Sequence, residues 1–288
     1  MKSGGLKILL TMALFAVFTM ASTPLLAGDA ALSSDSTLEG IFRRGTLRVG
    51  FDAGYLPFVM VNKRSGTRER QPVRGDERHP GGKAVYMGFE VDMAMELAKA
   101  LGVRFVPVNT RWPSIVAALQ AGRFDIIMGG MSITAERRQR IDFSDPYMVI
   151  GQTILLDPKH KGRVKSYEDL NHADFSVASD PGTTGEAAVK RLMPNCRYRP
   201  NSLEAGGARA VLHGEVDAYV YDLPYTAVFH ALYGKGKRTL LEQPFTKEQL
   251  AWGFRRNDPH LKKFIDDFMR QIKSDGRYDR IHKRWFKK

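Results

Sequence analysis

Residues 128–147, MGGMSITAERRQRIDFSDPY, contain residue types that suit the binding of an anion. Glycine lets a backbone approach a bound group closely, a serine hydroxyl adds a hydrogen-bond donor, and the planar guanidinium of arginine matches a carboxylate with two parallel hydrogen bonds. Gly130, Ser132 and Arg137 supply these three features in close succession. The charged run can also be read as the solvated face of a helix, so the rest of the chain has to discriminate between the two interpretations.

The three arginines of this stretch cannot all serve one site. Thr134 is suited to cap a short helix whose early turn contains Arg137 and Arg138. Adjacent residues on a helix point about 100° apart. We therefore predict that Arg137 lines the site, while Arg138 and Arg140 lie in solvent or in surface ion pairs.

Two later segments offer complementary groups. VDAYVYDLPYTAV ends an apolar strand on Asp222, whose carboxylate could hold an ammonium group or could instead cap the next helix. The turn GTTGE, 182–186, presents backbone N–H groups and hydroxyls, among them Thr184, at a predicted helix start. A plain capped turn is the alternative interpretation there.

Aromatic and acidic side chains lie near the first strand and the second helix. Asp52 and Tyr55 come just beyond the first predicted strand, and Trp112 comes just before a helix. Any one aromatic residue is more often part of a core than of a binding site. Together with one arginine, one aspartate and several hydroxyls, they match a zwitterion whose two charged ends are both paired.

The elements that must position these groups alternate between strand and helix. LRVGF, 47–51, predicts a strand, GFEVDMAMELAKALGVRFVPV a helix followed by a strand, and WPSIVAALQAGRFDIIMGG a helix followed by a buried strand at 124–128. A similar series follows Tyr147, which indicates two α/β lobes with mostly parallel sheets covered by helices. Ligands of such sheets gather at the carboxyl ends of the strands. The tail, 258–286, predicts an amphipathic helix packed on one lobe.

The first 27 residues predict a secretory signal peptide. Lys2 and Lys7 precede an apolar run from residue 8 to residue 20, and small residues surround Ala27, where we expect cleavage. A membrane anchor is the alternative, but the run is shorter than the roughly 20 residues that a span requires. We therefore expect export to a bacterial periplasm.

Composition argues against several other classes. The net charge is +13, and removing Lys2 and Lys7 from this total leaves +11. No aromatic and basic repeat suggests a nucleic-acid surface, so the charge is interpreted as an aid to solubility, with an anionic membrane or acidic partner as the alternative. Cys196 is the only cysteine, and the histidines show no ligand spacing, so we predict no internal disulfide, no metal and no cofactor.

The chain resembles the bacterial extracellular solute-binding proteins, family 3, which serve polar amino acid ABC transporters. The similarity runs from about Gly45 to Phe286 and is carried jointly by LRVGFDAGYLPF, GFEVDMAMELAKALG, GGMSITAERRQRIDFSDPY, GTTGE, GEVDAYVYD and SDGRYDRIHKRWF. It implies a two-lobed periplasmic-binding-protein-like fold of type II, with mixed sheets flanked by helices and two hinge strands. The implied lobes are 45–148 plus 246–288, and 149–245. The implied partners are a small amino acid ligand and an inner-membrane ABC permease, with the protein itself a monomer.

The resemblance also implies individual roles. Arg137 would bind the ligand carboxylate with Gly130, Ser132 and Thr184. Asp222 would bind its ammonium group, and Asp52 would lie near its side chain. Tyr55 and Trp112 would enclose the ligand from two sides.

Other activities exist on this fold. Periplasmic cyclohexadienyl dehydratases share much of the pattern and have a catalytic glutamate where this chain has Glu186, but Thr183 stands where those enzymes tend to have glycine. A sensor or a lytic cell-wall enzyme is a third class, which would need an added domain. The Arg-rich segment between 62 and 87 is longer than the usual hairpin of the family and has no assigned role.

Overall fold

The computed structural model describes residues 36–62, 85–201, 206–234 and 239–286. The predicted signal peptide and almost all of the Arg-rich segment lie outside the described residues. No helix within the described ranges combines the length and the apolar character needed to cross a membrane.

The described chain alternates between short strands and helices. The α-helices are α1 Thr37–Arg44, α2 Phe89–Ala100, α3 Ile115–Gln120, α4 Ala135–Arg138, α5 Thr184–Leu192, α6 Gly206–Leu212, α7 Leu223–Tyr233, α8 Pro259–Ser274 and α9 Arg277–Phe286. Short 3-10 turns occupy Trp112–Ser114, Pro158–His160 and Glu168–Leu170. The strands are β1 Thr46–Phe51, β2 Met60–Asn62, β3 Val85–Met87, β4 Arg104–Asn109, β5 Ile126–Ile127, β6 Asp142–Phe143, β7 Met148–Ile150, β8 Gln152–Leu156, β9 Ser176–Ser179, β10 Arg197–Pro200, β11 Ala218–Asp222, β12 Thr239–Leu241, β13 Glu248–Leu250 and β14 Gly253–Phe254.

The first lobe is built on a five-stranded sheet in the order β4-β1-β5-β14-β6. Strand β1 runs parallel to β4 and β5, while β14 runs antiparallel to β5 and β6. All residues of 124–128 are buried, as predicted, but only Ile126 and Ile127 pair as a strand. Because β1 and β5 are parallel, their carboxyl ends lie at the same edge of the sheet. The segments around residues 52 and 130 begin at this edge.

The second lobe is built on a five-stranded sheet in the order β10-β9-β11-β8-β12. Strand β9 runs parallel to β10 and β11, whereas β8 runs antiparallel to β11 and β12. The prediction of an α/β fold with two mixed sheets flanked by helices is confirmed. The sheets are less parallel than the alternation of elements alone suggested, because in each sheet one strand, β14 or β8, pairs antiparallel with two strands that are distant in sequence.

Strands β7 and β13 carry the chain between the two sheets. Strand β7 follows β6 of the first sheet and precedes β8 of the second, and β13 precedes the return to β14. The two pair antiparallel, with Glu248 opposite Ile150 and Leu250 opposite Met148. The lobe boundaries inferred from sequence, 45–148 plus 246–288 and 149–245, stay predictions.

The ends of the described chain differ from the sequence-based expectation. Residues 37–44, for which no element was predicted from the sequence, form helix α1, whose cap Ser36 accepts a hydrogen bond from the backbone N–H of Leu38. Glu39, three residues after Ser36, completes a capping-box pattern that could have revealed this helix. The tail forms two helices rather than one, because Gly276 takes a left-handed backbone conformation with φ of 77° between them.

The apolar face predicted for the tail is confirmed on α8. Helix α8 buries Leu261, Ile265, Phe268, Met269 and Ile272, and Phe264 is partly buried. Trp252, which is fully buried just before β14, stacks against Phe268 with ring centroids 6.1 Å apart. The face therefore packs on the segment that returns from the second lobe.

Candidate functional site

Arg137 lies on the short helix α4 and faces the second lobe. The predicted cap is confirmed, since the backbone N–H of Arg137 donates to Thr134 Oγ1 at 3.1 Å. The guanidinium donates through Nη1 to the carbonyl oxygen of Ser132 at 2.8 Å and through Nη2 to the carbonyl oxygen of Gly182 at 3.1 Å. It also lies over the ring of Trp112, 5.4 Å from the centroid. The side chain is therefore held at the junction of both lobes.

The neighbouring arginines point elsewhere. Arg138 and Arg140 are exposed. Arg138 lies over the ring of Phe143 at 5.9 Å, and Arg140 donates to Gln120 Oε1 at 3.2 Å. Of the three arginines, only Arg137 contacts the second lobe within the described residues.

The charge of Arg137 is balanced by carboxylates. Burial lowers the pKa of Arg137, and the nearby Asp222, Glu248 and Glu136 raise it in opposition. Desolvation disfavours a cation, while opposite charges favour it. The guanidinium therefore stays charged and interacts electrostatically with the Asp222 carboxylate.

Asp222 ends strand β11 and does not act as a cap. Its side chain makes no capping hydrogen bond to α7 within the described residues. One carboxylate oxygen accepts a hydrogen bond from the hydroxyl of Tyr55, and the other accepts from Gln152 Nε2 at 2.5 Å. Burial raises the pKa of Asp222 to about 7, against the opposing effects of Tyr55, Gln152 and Arg137. A buried carboxyl with this pKa gains ionised character when a cation comes close.

Gln152 and Glu248 belong to the same network, although sequence reasoning missed both. Gln152 Nε2 lies within hydrogen-bond distance of Asp222 Oδ1, Glu248 Oε1 at 3.0 Å and Thr184 Oγ1 at 3.3 Å. The hydroxyl of Ser132 donates to Glu248 Oε2 at 2.6 Å. An amide nitrogen carries only two hydrogens, so three acceptors compete for them. The network is short of donors, which suits it to receive a further N–H group.

A sequence signal for Gln152 existed, whereas none existed for Glu248. Gln152 is fully buried at the start of the strand QTILL, whose last three residues are apolar, and buried polar side chains in such strands usually have a specific partner. Glu248 begins β13 in a run of mixed polar residues. Only the pairing of β13 with β7 brings it to the site.

Gly130 and Tyr55 are in close contact in the first lobe. Gly130 has φ of 71°, and a Cβ atom there would lie 2.4 Å from Cε1 of the Tyr55 ring. The ring of Tyr55 stacks on Phe58 with centroids 4.6 Å apart, which fixes its orientation. Glycine at 130 thus permits the ring and the backbone to approach each other.

Trp112 and Asp52 lie beside the turn 182–186 of the second lobe. Asp52 Oδ2 accepts the backbone N–H of Trp112 at 2.7 Å. The indole Nε1 donates to the Gly182 carbonyl at 3.1 Å, so Trp112 and Arg137 share one acceptor from the second lobe. With these contacts, all eight candidate residues belong to one group, in which each touches another member directly or shares a neighbour with it. The eight are Asp52, Tyr55, Trp112, Gly130, Ser132, Arg137, Thr184 and Asp222.

A second buried carboxylate, that of Glu90, contacts the backbone of Gly130. Glu90, on α2, is fully buried and accepts hydrogen bonds from the Gly130 backbone N–H at 3.3 Å, from the Tyr147 hydroxyl and from Trp252 Nε1 at 3.0 Å. Burial raises its pKa to about 7, and these donors oppose the shift. Tyr147 precedes β7 and Trp252 follows β13, so Glu90 ties both crossing segments to the Gly130 loop. Sequence reasoning missed it, because acidic residues in the first turn of a helix are ordinarily exposed.

Glu186, the candidate under the enzyme alternative, is held by three donors. It accepts hydrogen bonds from the Gly182 backbone N–H at 2.7 Å, Lys190 Nζ at 2.7 Å and the Tyr198 hydroxyl at 3.1 Å. Burial raises its pKa, but the three hydrogen bonds outweigh burial and leave the pKa below its ordinary value. These hydrogen bonds favour the ionised form of Glu186, and the bond to Gly182 braces the turn 182–186.

Within the described residues, no group of three or more His, Cys, Asp or Glu side chains could hold a metal ion. The candidate site instead presents arginine, carboxylate, hydroxyl and aromatic groups. Such groups bind a small organic zwitterion by hydrogen bonds and ion pairs.

Comparisons with known proteins agree with this chemistry. The family model for bacterial extracellular solute-binding proteins, family 3, matches residues 79–288. An ancestral amino acid-binding protein, described as a precursor of cyclohexadienyl dehydratase, is 40% identical, with a TM-score of 0.74 over 88% of this chain and 100% of its own. A protein from Wolinella succinogenes, assigned to the binding component of an ABC transporter and solved in complex with lysine, is 36% identical, with a TM-score of 0.74 over 85% of this chain and 97% of its own. The cyclohexadienyl dehydratase of Pseudomonas aeruginosa is 26% identical over 260 residues, 90% of each chain.

Proposed function

The chain belongs to the bacterial extracellular solute-binding proteins, family 3, and we propose that it captures an amino acid as a zwitterion between its two lobes for delivery to an ABC importer. The observation that carries this proposal is that Arg137, from the first lobe, and Asp222, from the second, belong to one hydrogen-bond network, which runs through Ser132, Glu248 and Gln152. Opposite charges on the two lobes match the opposite charges at the α-carbon of an amino acid. A ligand that bridges them would favour the closed arrangement of the lobes.

The ligand carboxylate is assigned to Arg137. Its guanidinium now donates to two carbonyl oxygens, which are weaker acceptors than a carboxylate. Gly130, Ser132 and Thr184 would add backbone and hydroxyl donors, and the Gly130 N–H and the Ser132 hydroxyl would exchange their present acceptors, Glu90 and Glu248, for the ligand carboxylate. The lysine complex of the 36% identical Wolinella succinogenes protein supports an amino acid as the ligand class.

The ligand ammonium group is assigned to Asp222. The Gln152 amide cannot serve Asp222, Glu248 and Thr184 at once, so an ammonium group with three N–H donors would satisfy acceptors that the protein leaves in competition. Tyr55 and Trp112 would provide the walls on either side. Asp52 would lie at the side-chain end.

The remaining parts of the proposal concern location and partners. The family is described as extracellular. We infer a periplasmic protein exported by a cleaved signal peptide at residues 1–27, acting as a monomer that docks on an inner-membrane ABC permease. No nucleic acid, metal or cofactor enters this function.

The dehydratase alternative is the weaker one for this chain. A general acid must carry a proton near the working pH, which requires a raised pKa. Glu186 has the opposite shift and is engaged by Lys190 and Tyr198. The same fold in a dehydratase relative therefore does not bring the chemistry with it.

A ligand screen tests the proposed function. A ligand that binds only the folded protein raises its melting temperature by mass action. We expect at least one of the twenty standard L-amino acids to raise it, and we expect the N-acetyl and the decarboxylated derivatives of that amino acid to have no effect. Asp222→Asn should abolish the shift. A screen in which every amino acid leaves the melting temperature unchanged would contradict the proposal.

A further inference from the structure

Asp180 follows strand β9 directly, at the carboxyl end of this strand, which lies between β10 and β11 in the second sheet. Strand β9 pairs Ser179 with Pro200 of β10 and Ala178 with Tyr219 of β11. Continuing both parallel registers places Asn201 on one side of Asp180 and Tyr221 on the other. Asn201 Nδ2 donates to Asp180 Oδ1 at 2.9 Å.

Three tyrosines surround the Asp180 carboxylate. Tyr219 donates a hydrogen bond to it, and its charge raises the pKa of Tyr221 and Tyr225 as well. The ring of Tyr225 lies 5.0 Å from that of Tyr221 and stacks on Tyr55 at 6.2 Å. Asp180 therefore borders the aromatic wall that continues from Tyr55.

One of these hydroxyls has no partner. Tyr225 is 3% exposed, and its hydroxyl makes no hydrogen bond within the described part of the chain. A buried hydroxyl without a partner is costly, and such groups mark places where a ligand atom or water completes the bonding. The charge of Asp180 acts on this hydroxyl. A ligand atom that completes the bonding of Tyr225 would therefore lie close to Asp180.

Asp52, in the first lobe, is the acidic side chain that lies opposite Asp180. The charge of Asp52 raises the pKa of Asp180, which burial already raises, to about 6 in total. Asp52 also holds the backbone of Trp112, whose indole bonds to Gly182, two residues after Asp180. The two carboxylates thus approach each other from opposite lobes at the Trp112 end of the site.

No described basic side chain is among the groups that shift the pKa of Asp180. Arg209 lowers the pKa of Tyr225, but its side chain is exposed on α6 and is not among the groups that shift the pKa of Asp180. Two like charges in a partly buried place repel each other, and a cation between them relieves both the repulsion and the burial cost.

We propose that Asp180 determines ligand specificity by pairing with the positively charged end of the ligand side chain, so that the site selects L-amino acids with cationic side chains. This inference rests on the proposed function, in which Arg137 and Asp222 hold the α-carboxylate and α-ammonium groups. Asp52 contributes the second negative charge from the first lobe. A neutral side chain of the same length would give Asp180 no cationic partner from the ligand.

The test compares L-arginine with L-citrulline, a ligand of nearly the same shape whose side chain is neutral, by calorimetric titration. We expect the wild-type protein to bind arginine at least about 30-fold more tightly, the loss typical of one missing member of a buried charge pair. Asp180→Asn should reduce this ratio by about the same factor and leave citrulline affinity nearly unchanged. Asp174→Asn, which removes an exposed carboxylate of the same lobe, should keep the wild-type ratio.

The outcomes separate the two proposals. Equal wild-type affinity for arginine and citrulline, or an Asp180→Asn protein with the wild-type ratio, would overturn the specificity assignment while leaving amino acid capture intact. Binding of neither ligand, with no other amino acid stabilising the protein, would overturn both. The same comparison of lysine with norleucine on the wild-type protein needs no variant, so the predicted preference for a cationic side chain remains testable even if Asp180→Asn does not fold, and equal affinities for the two ligands would overturn it.

Discussion

The hydroxyl of Tyr55, in the first lobe, donates a hydrogen bond to the carboxylate of Asp222, in the second lobe. The two residues are 167 positions apart in sequence. Their contact joins the aromatic wall of one lobe to the acidic group of the other. Because the bond favours the ionised form of Asp222, it opposes the effect of burial on that carboxyl.

Replacement of Tyr55 by phenylalanine should therefore change the pH dependence of binding. Without this donor the pKa of Asp222 rises further above its ordinary value, beyond the present value of about 7. Ammonium binding needs the ionised carboxylate, so amino acid affinity at pH 7 should fall and the acid limb of its pH profile should move to higher pH. Titrations between pH 5 and 9 on Tyr55→Phe and on Tyr233→Phe, which alters an exposed tyrosine, measure this. An unshifted acid limb in Tyr55→Phe would contradict the assignment of Asp222.

Removal of the guanidinium at position 137 should weaken binding strongly. Arg137→Ala deletes one member of a partly buried ion pair with the ligand carboxylate, which costs about 2–5 kcal/mol of binding free energy. Arg138→Ala is the matched control, because Arg138 is exposed one residue further along the same helix. Isothermal titration with the best ligand of the screen measures both variants. Equal affinities for the two variants would sink the role of Arg137.

A methyl group at Gly130 should disturb Tyr55. The new Cβ would lie 2.4 Å from the tyrosine ring, at a residue with φ of 71°. We expect Gly130→Ala to lower the free energy of unfolding by roughly 1–3 kcal/mol and to weaken ligand binding, because the ring must move. Gly129→Ala is the control, since its nearest neighbour, Phe51 Cβ, would be 3.3 Å away. If urea unfolding finds the two variants equally stable, the Tyr55 ring moves aside with no loss of unfolding free energy, and the prediction is wrong.

The buried carboxyl of Glu90 should make stability depend on pH. Its folded-state pKa is raised from the ordinary 4.5 to about 7, so the folded protein binds its proton more tightly than the unfolded chain does. The free energy of unfolding should therefore fall as pH rises from about 4.5 to 7, by roughly 3 kcal/mol for this group, and remain lower above that window. Asp222, with its raised pKa, contributes in the same direction.

Glu90→Gln should remove the contribution of Glu90 and flatten the pH profile of stability. Glu136→Gln, on an exposed position of α4, should keep the wild-type slope. Denaturant titrations at pH 4.5, 6 and 8 measure the three proteins. A Glu90→Gln profile as steep as that of the wild type would rule out the raised pKa.

The wild-type protein should not dehydrate prephenate or arogenate. Glu186 is ionised and engaged by Lys190 and Tyr198, so it holds no proton to donate to a leaving hydroxide near neutral pH. Incubation of the protein with each substrate, beside a protein-free control, followed by measurement of phenylpyruvate or phenylalanine, checks this. Product formation that Glu186→Gln abolishes would establish the enzyme instead.

Local patterns predicted much of the fold. The Thr134 cap, the strand at 47–51 and the apolar face of α8 all follow from interactions between residues a few positions apart. Alternation of helices and strands likewise predicted the α/β class. The antiparallel partners β14 and β8 were not predicted, because strand order depends on contacts between distant segments.

For the candidate site too, some features followed from the sequence and others only from the tertiary structure. By itself the sequence determined which residue types stand at the carboxyl ends of strands, and so identified Arg137 and Asp222 as a cation and an anion available for a ligand. Only the tertiary structure decided that Glu186 is braced by its own turn and that Glu90, Gln152 and Asp180 face partners from other elements. The reason is physical: the charge state and the work of a carboxyl or an amide depend on burial and on through-space neighbours, and in this fold those neighbours come from segments far apart in the chain.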